Sequence, residues 1–341
     1  MFLFGSALGV ATSNGWRALS PPTTRNLTKV FFLDSLRGWV VGRQGTILRT
    51  VDGGRTWESQ DPGLEADIVS ILMLSNRRGW ALSFVPFIDT TTWYGTRILK
   101  TTNGGDTWTS QQFPIVGKFL SSIVFLDSTH GWMGGANGDL YRTTNGGANW
   151  IPANVDSSLY ARLAIVRLRF FSPSFGLAVG GRIDLAGAVW RTTDGGEHWT
   201  TQGVSSEPIY DLHFIDSLNI IAVGGDLEYG ASIIRTEDGG QQWEYSYLGV
   251  FGQPAALSFR TSAEGWAPLG FAGAFIYTLD TGKTWTALDT PGRRAIYDLM
   301  FVDSTTGYAV GEFGTILKFN PATVSVDEAS ILPLMPELRQ N

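Results

Sequence analysis

The stretch "RTTDGGEHW", from Arg191 to Trp199, decides the fold because close copies of it recur along the chain. Each copy has threonine at its second position, Asp or Asn at its fourth, glycine at its sixth and tryptophan at its ninth. The six copies end at Trp57, Trp108, Trp150, Trp199, Trp243 and Trp285, so successive tryptophans lie 42 to 51 residues apart. A period of about 40–50 residues with strand-like contents predicts the blades of a β-propeller.

A second motif precedes each copy of the first and occurs seven times. It begins with "FFLDSLRGWVVG" at Phe31 and ends with "MFVDSTTGYAVG" at Met300. No tryptophan turn follows the seventh copy, but Trp16 lies one repeat length before Trp57. We therefore predict an all-β fold, a single seven-bladed propeller of four-stranded blades over residues 13–320. The strand around Trp16 would complete the last blade, which removes the exposed sheet edges of an open array.

The repeat also predicts the anatomy of each blade. The innermost strand a ends at a phenylalanine such as Phe32, and strand d begins at the tryptophan of the turn. An aspartate at one fixed place of the repeat is expected to cap the a–b turn: Asp34, Asp127, Asp216 and Asp303. The a–b and c–d turns should share one face of the ring, and the b–c and d–a loops the other.

Composition narrows the classes of function. The 341 residues carry a net charge of -6, and a general nucleic-acid binder would instead show a basic face. The absence of cysteine excludes disulfides, thiolate metal sites, cysteine nucleophiles and an acylated cysteine within this sequence. The glycine pairs precede strands rather than helices, so no phosphate loop is predicted. We expect no cofactor and no metal site. His130 falls in an a–b turn, His198 in a tryptophan turn and His213 beside a core phenylalanine, so none of the three histidines is placed to bind a metal.

The two ends suggest export. Residues 1–12 are apolar and rich in small residues, which fits the remnant of a signal peptide or a frayed end. No stretch is long enough for a transmembrane helix. Residues 321–341 form a proline-containing linker, and its end at Leu338–Asn341 resembles the lead-in to a type IX secretion sorting domain. We therefore predict a secreted or cell-surface protein, with the periplasm as the alternative.

The six tryptophan turns resemble the Asp-box, or bacterial neuraminidase repeat. The resemblance implies a hairpin whose acid accepts local backbone hydrogen bonds while its aromatic ring packs into the blade. An asparagine can play that part because it keeps the acceptor oxygen, as the turn chemistry requires. The structural box residues are Asp52, Trp57, Asn103, Trp108, Asn145, Trp150, Asp194, Trp199, Asp238, Trp243, Asp280 and Trp285.

Two families of glycoside hydrolase, the sialidases and the xyloglucanases, also carry such boxes. A divergent hydrolase is therefore the alternative function, with candidate acids Asp184, Asp226, Glu228 and Glu312. The sequence has no Arg-Ile-Pro segment of the sialidase type, and the xyloglucanases use two tandem propellers. Glycoside hydrolysis needs two facing carboxylates about 5–10 Å apart. We therefore predict no catalytic residue.

The whole repeat resembles the photosystem II stability/assembly factor group of propellers. That resemblance implies seven blades, an N-terminal closing strand and a non-enzymatic role in binding membrane-protein assembly intermediates. It also implies an arginine-rich binding face, carried over to Arg43, Arg182, Arg293 and Arg294. The pattern itself does not tie the chain to a photosystem.

The loops opposite the boxes hold the insertions and are the expected binding face. Aromatic residues among charges are typical of protein-binding patches. The candidate binding residues are Arg43, Phe87, Trp93, Tyr94, Arg182, Tyr229, Arg293, Arg294 and Glu312. We predict an assembly or scaffold factor with a protein partner, such as a membrane or surface complex. A glycan ligand and a mixed solvated surface without a partner are the alternatives.

Overall fold

The computed structural model describes residues 15–86 and 92–321, which form seven sheets of mainly antiparallel strands, arranged as the blades of a propeller. The chain begins with β1 (Trp16–Ala18), which belongs to the last blade. Blade 1 follows with β2 (Leu27–Phe32), β3 (Gly38–Gly42), β4 (Ile47–Thr50) and β5 (Glu58–Gln60). Blade 2 has β6 (Ile68–Met73), β7 (Gly79–Val85), β8 (Gly95–Thr101) and β9 (Thr109–Gln112). Blade 3 has β10 (Leu120–Phe125), β11 (Gly131–Gly135), β12 (Leu140–Thr143) and β13 (Ile151–Pro152).

The second half of the ring repeats this order of strands. Blade 4 has β14 (Asn154–Val155), β15 (Ala164–Phe170), β16 (Gly176–Arg182), β17 (Ala186–Thr192) and β18 (His198–Ser205). Blade 5 has β19 (Ile209–Phe214), β20 (Ile220–Asp226), β21 (Gly230–Thr236) and β22 (Glu244–Tyr247). Blade 6 has β23 (Ser258–Phe259), β24 (Gly265–Pro268), β25 (Ala274–Thr278) and β26 (Thr286–Asp289). Blade 7 has β27 (Ile296–Phe301), β28 (Gly307–Gly311) and β29 (Ile316–Phe319).

Short 3₁₀ helices are the only helical elements among the described residues. They lie in loops on one face of the ring, at Ala136–Gly138, Leu159–Arg162, Pro291–Arg293 and Glu312–Gly314. Most outer strands begin just after the box tryptophan rather than at it, as Glu58 follows Trp57. Blade 4 differs, because its outer strand begins at His198, before the tryptophan.

The N-terminal strand closes the ring as predicted. Strand β1 pairs antiparallel with β29, with Trp16 opposite Phe319 and Ala18 opposite Leu317. Trp16 has no exposed surface. Its ring stacks on Phe275 with 5.3 Å between centroids. The last blade is therefore built from both ends of the propeller sequence.

The six boxes form one hydrogen-bonded turn, repeated. In the first, the Thr50 hydroxyl donates to Asp52 Oδ1 at 2.9 Å and accepts the Gly54 N–H at 2.9 Å. Asp52 Oδ1 also accepts the Thr56 N–H at 2.9 Å. Gly54 has φ +79°, which favours glycine. Asn103 Oδ1 accepts the equivalent N–H at 3.0 Å, so the amide performs the same task as the carboxylate.

His198 takes part in its box rather than standing apart from it. Its Nδ1 lies 2.8 Å from Asp194 Oδ2. In the first box the Thr56 hydroxyl occupies the same place, 2.6 Å from Asp52 Oδ2. The hydrogen bond from the His198 N–H is the main cause that lowers the pKa of Asp194 to about 2. The histidine thus replaces a threonine hydroxyl in a structural turn.

The turn aspartates are caps, as the repeat predicts. Asp216 Oδ1 accepts the N–H groups of Leu218 and Asn219 at 2.7 and 2.8 Å. Asp34, Asp127 and Asp303 accept the corresponding pairs of N–H groups in their own turns. These carboxylates hold loops and are not oriented towards a common ligand.

Substitution of Asp52 separates the two parts of its role, acceptor and charge. Asp52→Asn is expected to change the free energy of unfolding by less than about 0.5 kcal/mol, because Asn103 and Asn145 serve in other boxes. Asp52→Ala removes the acceptor for the Thr56 N–H and should cost about 1–2 kcal/mol. Urea unfolding at neutral pH measures both values. Equal losses for the two variants would show that charge, not the acceptor oxygen, stabilises the turn.

One blade departs from the predicted four strands. In blade 4, β14 pairs in parallel with β18, with Asn154 opposite His198 and Val155 opposite Trp199. Asp156 anchors this fifth strand, since its Oδ2 accepts the Thr201 N–H at 2.7 Å. Long loops are therefore found among the d–a segments as well as among the b–c loops. The connection from blade 3 to blade 4 is a long d–a segment that covers the edge of β18.

Candidate functional site

The b–c and d–a loops lie together on the face opposite the boxes. In blade 1, the Arg43 N–H of the b–c loop donates to the Asn26 carbonyl of the preceding d–a segment at 2.9 Å. Across the next blade boundary, the Gly45 N–H donates to the Ala66 carbonyl at 3.0 Å. On the other side of the ring, the Gly53 N–H of the first box donates to the Leu36 carbonyl of the a–b turn at 2.8 Å. We call the box-free side the loop face.

An arc of exposed apolar side chains crosses the loop face from blade 4 to blade 7. It occupies the four consecutive b–c loops of these blades and one d–a segment between blades 5 and 6. Relative exposure runs from 51 % for Ile183 to 77 % for Phe271. We define the apolar arc as Ile183, Leu185, Leu227, Tyr229, Phe251, Phe271 and Phe313. Grouped exposed apolar residues of this kind are typical of interaction sites.

Contacts between neighbouring loops make the arc continuous. The Ala231 N–H, next to the blade 5 turn, donates to Val250 at 2.8 Å, which places Phe251 beside that turn. An isolated β-bridge from Gly270 to Ile296 ties the blade 6 turn to the inner strand of blade 7. The Phe271 ring lies 5.6 Å from the ring of Tyr297. The loops that carry the apolar arc are therefore neighbours on one face of the ring.

Charges of opposite sign flank the two ends of the arc. At the end formed by blades 4 and 5, the charges of Glu228, Asp226 and Asp184 raise the pKa of Tyr229, and Glu228 has the strongest effect. At the blade 7 end, the Arg294 guanidinium lies 5.1 Å from the centroid of the Phe313 ring. The arc thus has an acidic end and a basic end.

The candidate arginines do not make a uniformly basic surface. Arg43 lies 3.3 Å from Asp67, and Arg293 lies 3.4 Å from Asp289. Both pairs are exposed, and pairs of this kind contribute little to stability. Arg182 ends strand β16 at the acidic end of the arc, beside the turn that holds Asp184. Local neutralisation leaves the apolar side chains as the distinctive feature of this face.

The candidate acids are engaged in loop structure. Asp226 is buried, and its Oδ1 accepts the N–H groups of Glu228 and Tyr229 at 2.9 and 2.6 Å. Glu312 Oε1 accepts the Ala295 N–H at 3.0 Å. Glu228 and Tyr229 lie in a turn between strands, where their side chains approach each other, and not in a strand where they would point apart.

The long b–c loop of blade 2 holds three of the candidate binding residues but none of the residues of the apolar arc. Phe87 lies outside the described residues. Trp93 and Tyr94 are half-buried, and Trp93 lies 5.9 Å from the Arg97 guanidinium. Both belong to the b–c loop of blade 2, two blades before the arc begins. They remain candidate binding residues on the same face.

A charged network lines the central channel, a space of about 490 Å³ between the inner strands. Arg169 pairs with both oxygens of Asp211, at 3.0 and 2.8 Å. Arg167 reaches across to two carboxylates, with Nε 3.2 Å from Asp211 and Nη2 3.3 Å from Asp298. Lys29 Nζ lies 3.4 Å from the same Asp298 oxygen, Oδ1. The network connects blades 1, 4, 5 and 7.

The carboxylates of this network also bind backbone groups of the following blade. Asp298 accepts the Val30 N–H and Asp211 accepts the Leu257 N–H, each at 3.0 Å. Burial opposes the ionisation of Asp211, but Arg167 and Arg169 outweigh it and hold its pKa well below the usual range. The network is therefore a structural link between blades as well as a charged lining.

Burial controls the other titratable groups of the channel. It lowers the pKa of His213 to about 4, so the ring that stacks on Phe259 is neutral at neutral pH. Burial and the neighbouring Arg167 both lower the pKa of Lys29. Among the residues with described positions, no three His, Asp or Glu side chains lie close enough together to hold a metal ion.

Sequence reasoning missed this network although the repeat contains its signal. All of its members stand at two places of strand a, three residues and one residue before the terminal aromatic. The first place holds Lys29, Arg167, Asp211 and Asp298, where other blades have serine or alanine. Charged residues in an otherwise apolar inner strand are the observation that could have revealed it.

A family model described as "Photosynthesis system II assembly factor YCF48" matches residues 8–115. A photosystem II assembly lipoprotein Ycf48 of Picosynechococcus sp. is 27 % identical, over 92 % of this chain and 89 % of that protein. The Ycf48 assembly protein of Thermosynechococcus vestitus is 44 % identical over 45 residues, 13 % of each chain. In sequence the chain is similar to the photosystem II assembly factors of the Ycf48 group, and in fold it is a seven-bladed propeller.

Solved structures agree with this fold. The structure described as "YCF48 bound to D1 peptide" superposes with a TM-score of 0.70 at 24 % identity, covering 91 % of this chain and 98 % of that one. A xyloglucanase from Xanthomonas campestris superposes with a TM-score of 0.69 at 13 % identity, covering 92 % of this chain and 55 % of the enzyme. At these identities the likeness shows the propeller fold alone. No helix in residues 15–86 or 92–321 has the length and apolar character needed to cross a bilayer.

Proposed function

We propose that this photosystem II assembly factor-like propeller is a non-catalytic assembly or scaffold factor that binds a protein partner through the apolar arc. The observation that carries the proposal is the set of seven exposed apolar residues on neighbouring loops of four consecutive blades. The structure of a similar propeller with a bound peptide supports a protein as the kind of partner.

The side chains of the apolar arc indicate what kind of protein segment would bind there. Ile183, Leu185 and Leu227 offer aliphatic contact beside the four exposed rings of the arc, a combination that suits the apolar side chains of a protein segment. A basic side chain of the partner would face the acids around Tyr229, and an acidic one would face Arg294. Complementary charges of this kind orient a partner more than they add affinity.

Replacement of two aromatic residues at the basic half of the arc tests the proposal. Phe271→Ser with Phe313→Ser is expected to weaken partner binding by about 2 kcal/mol or more, roughly 30-fold in Kd, because exposed aromatic anchors dominate such interfaces. The partner is captured from the native membranes by a photo-cross-linking residue placed at position 271. Its affinity for wild-type and variant propellers is then measured by titration.

The matched control changes two exposed leucines of the box face, Leu218→Ser with Leu279→Ser. These changes should leave both affinity and thermal stability near wild type. A cross-linking residue at position 218 should not capture the same protein. An equal loss of affinity in the control pair would contradict the assignment to the loop face.

The hydrolase alternative has its own test. Asp226 and Glu312 accept hydrogen bonds from backbone N–H groups, which leaves Asp184 and Glu228 as the more accessible acids of the four. An assay on sialosides and β-glucans, with Glu228→Gln and Glu312→Gln as controls, is the direct measurement. Turnover that both substitutions abolish would replace the binding proposal.

Export is part of the same proposal. Relatives named as lipoproteins support a location beyond the cytoplasmic membrane, although this sequence has no cysteine to carry the lipid. The signal remnant at residues 1–12 and the type IX lead-in at Leu338–Asn341 lie outside the described residues and stay predictions. Fractionation of the native cell, with the protein followed by antibody, distinguishes the periplasm from the cell surface.

A further inference from the structure

The central channel carries more positive than negative side chains. Its three cations are Lys29, Arg167 and Arg169, whereas its carboxylates are only Asp211 and Asp298. His213 adds no charge at neutral pH, because burial keeps its ring neutral. Within the described inner strands, one positive charge therefore has no counter-charge of its own.

The unbalanced charge is located between two of these cations. Lys29 Nζ and Arg167 Nη2 both approach the same oxygen, Asp298 Oδ1, at 3.4 and 3.3 Å. One carboxylate oxygen cannot neutralise two cations, and each of them repels the other at this distance. Asp211 Oδ1 also lies 3.2 Å from Arg167 Nε, but Asp211 is shared with both Arg169 nitrogens and the N–H groups of Leu212 and Leu257, so the excess of one cation over the carboxylates remains.

Donors remain for a further ligand at this point. An ammonium has three donors, and Lys29 uses one of them in a long contact. The buried Arg167 Nε lies 3.2 Å from Asp211 Oδ1 but makes no well-aligned hydrogen bond there. Ser70 and Ser122 from blades 2 and 3 line the same space. The side chains of Lys29 and Arg167 are 23 % and 18 % exposed, so small solutes reach them from the channel.

We propose that the channel binds one small monovalent anion, a halide or a simple carboxylate such as formate, between Lys29 and Arg167. The channel volume of about 490 Å³ accommodates such an ion together with water. The site lies on the inner strands and is separate from the apolar arc. It would complete the neutralisation of a network that joins blades on opposite sides of the ring.

Bromide is the probe that locates the ion. Crystals of the full chain are grown without halide, soaked in sodium bromide and measured at the bromine absorption edge. An anomalous peak in the channel beside Lys29 and Arg167 is the expected result. Peaks at surface positions only, with none in the channel, would overturn the proposal.

Two variants, one that removes a cation and one that removes a carboxylate, test whether the excess positive charge causes the anion to bind. Lys29→Met leaves two cations with two carboxylates and is expected to weaken bromide binding by about tenfold, measured by titration at constant ionic strength. Asp298→Asn keeps an acceptor for the Val30 N–H but leaves three cations with one carboxylate, so binding should become several-fold tighter.

A matched control separates this site from a general effect of protein charge. Lys283→Met removes the same charge from an exposed turn on the box face and should leave bromide binding unchanged. Unchanged binding in Lys29→Met would overturn the proposal, as would equal weakening in Lys283→Met. If Asp298→Asn does not fold, the comparison of wild type, Lys29→Met and Lys283→Met still decides.

Discussion

Asp211→Ala is expected to lower the free energy of unfolding by about 3–5 kcal/mol, because it breaks a buried network of paired charges. Asp211 is only 1 % exposed and pairs with both Arg169 and Arg167. Its removal would leave two guanidiniums in the channel with insufficient counter-charge. It would also leave the buried Leu257 N–H of the next blade without its acceptor. Chemical denaturation at pH 7 measures the loss.

The exposed turn aspartate Asp216 provides the control. Asp216→Ala also removes a carboxylate that accepts two backbone N–H groups, but solvent can replace it. Its expected cost is about 0.5–1.5 kcal/mol. If Asp211→Ala cost no more than this, the channel network would not contribute to holding the blades together.

The pH dependence of the Asp211 contribution follows from the direction of its pKa shift. The pKa in the folded protein is lower than the value of about 3.9 in the unfolded chain. The stabilisation is therefore fully present above that unfolded value and is lost as the pH falls towards the folded one. The gap in stability between wild type and Asp211→Ala should be constant from about pH 7 to pH 5 and narrow below about pH 4.

Trp16→Ala is expected to cost about 3–5 kcal/mol, because it empties a large buried site in the closing blade. The indole packs against the rings of Phe275, Phe301 and Phe319, with centroids 5.3 to 5.6 Å away. It belongs to a strand of three residues, so few other contacts hold β1 in place. Thermal and urea unfolding of the variant measure the effect.

Trp16→Phe is the companion variant, since it keeps an aromatic ring in the same site. Its loss should be clearly smaller than that of the alanine variant. Wild-type stability in Trp16→Ala would mean that β1 is dispensable and that three strands suffice for blade 7.

The repeat made most of the fold predictable. Each box had to supply the same acceptor oxygen and the same glycine, so the six turns could be recognised by their shared residues. Trp16 could be assigned because it lies one period before Trp57. The fifth strand of blade 4 could not be predicted, because a two-residue parallel pairing at Asn154–Val155 leaves no periodic pattern.

The candidate site was less accessible to sequence reasoning for a physical reason. Lys29, Arg167 and Asp298 are distant in sequence and meet only when the ring is closed. The apolar arc likewise collects one or two side chains from each of several loops, and no single loop looks unusual. The order of the loops along the chain was therefore enough to predict which loops share a face. The exposed apolar residues of that face could not be predicted, because they come together only when neighbouring blades pack.

The pairing of β1 with β29 also determines when blade 7 can be completed during folding. Synthesis produces β1 first and β29 last, so β1 has no sheet to join until the whole propeller sequence is available. Contacts between segments so far apart in sequence form slowly, which makes this step the expected bottleneck of folding. Until it is complete, blade 7 presents an open strand edge, a surface that promotes aggregation of incompletely folded chains.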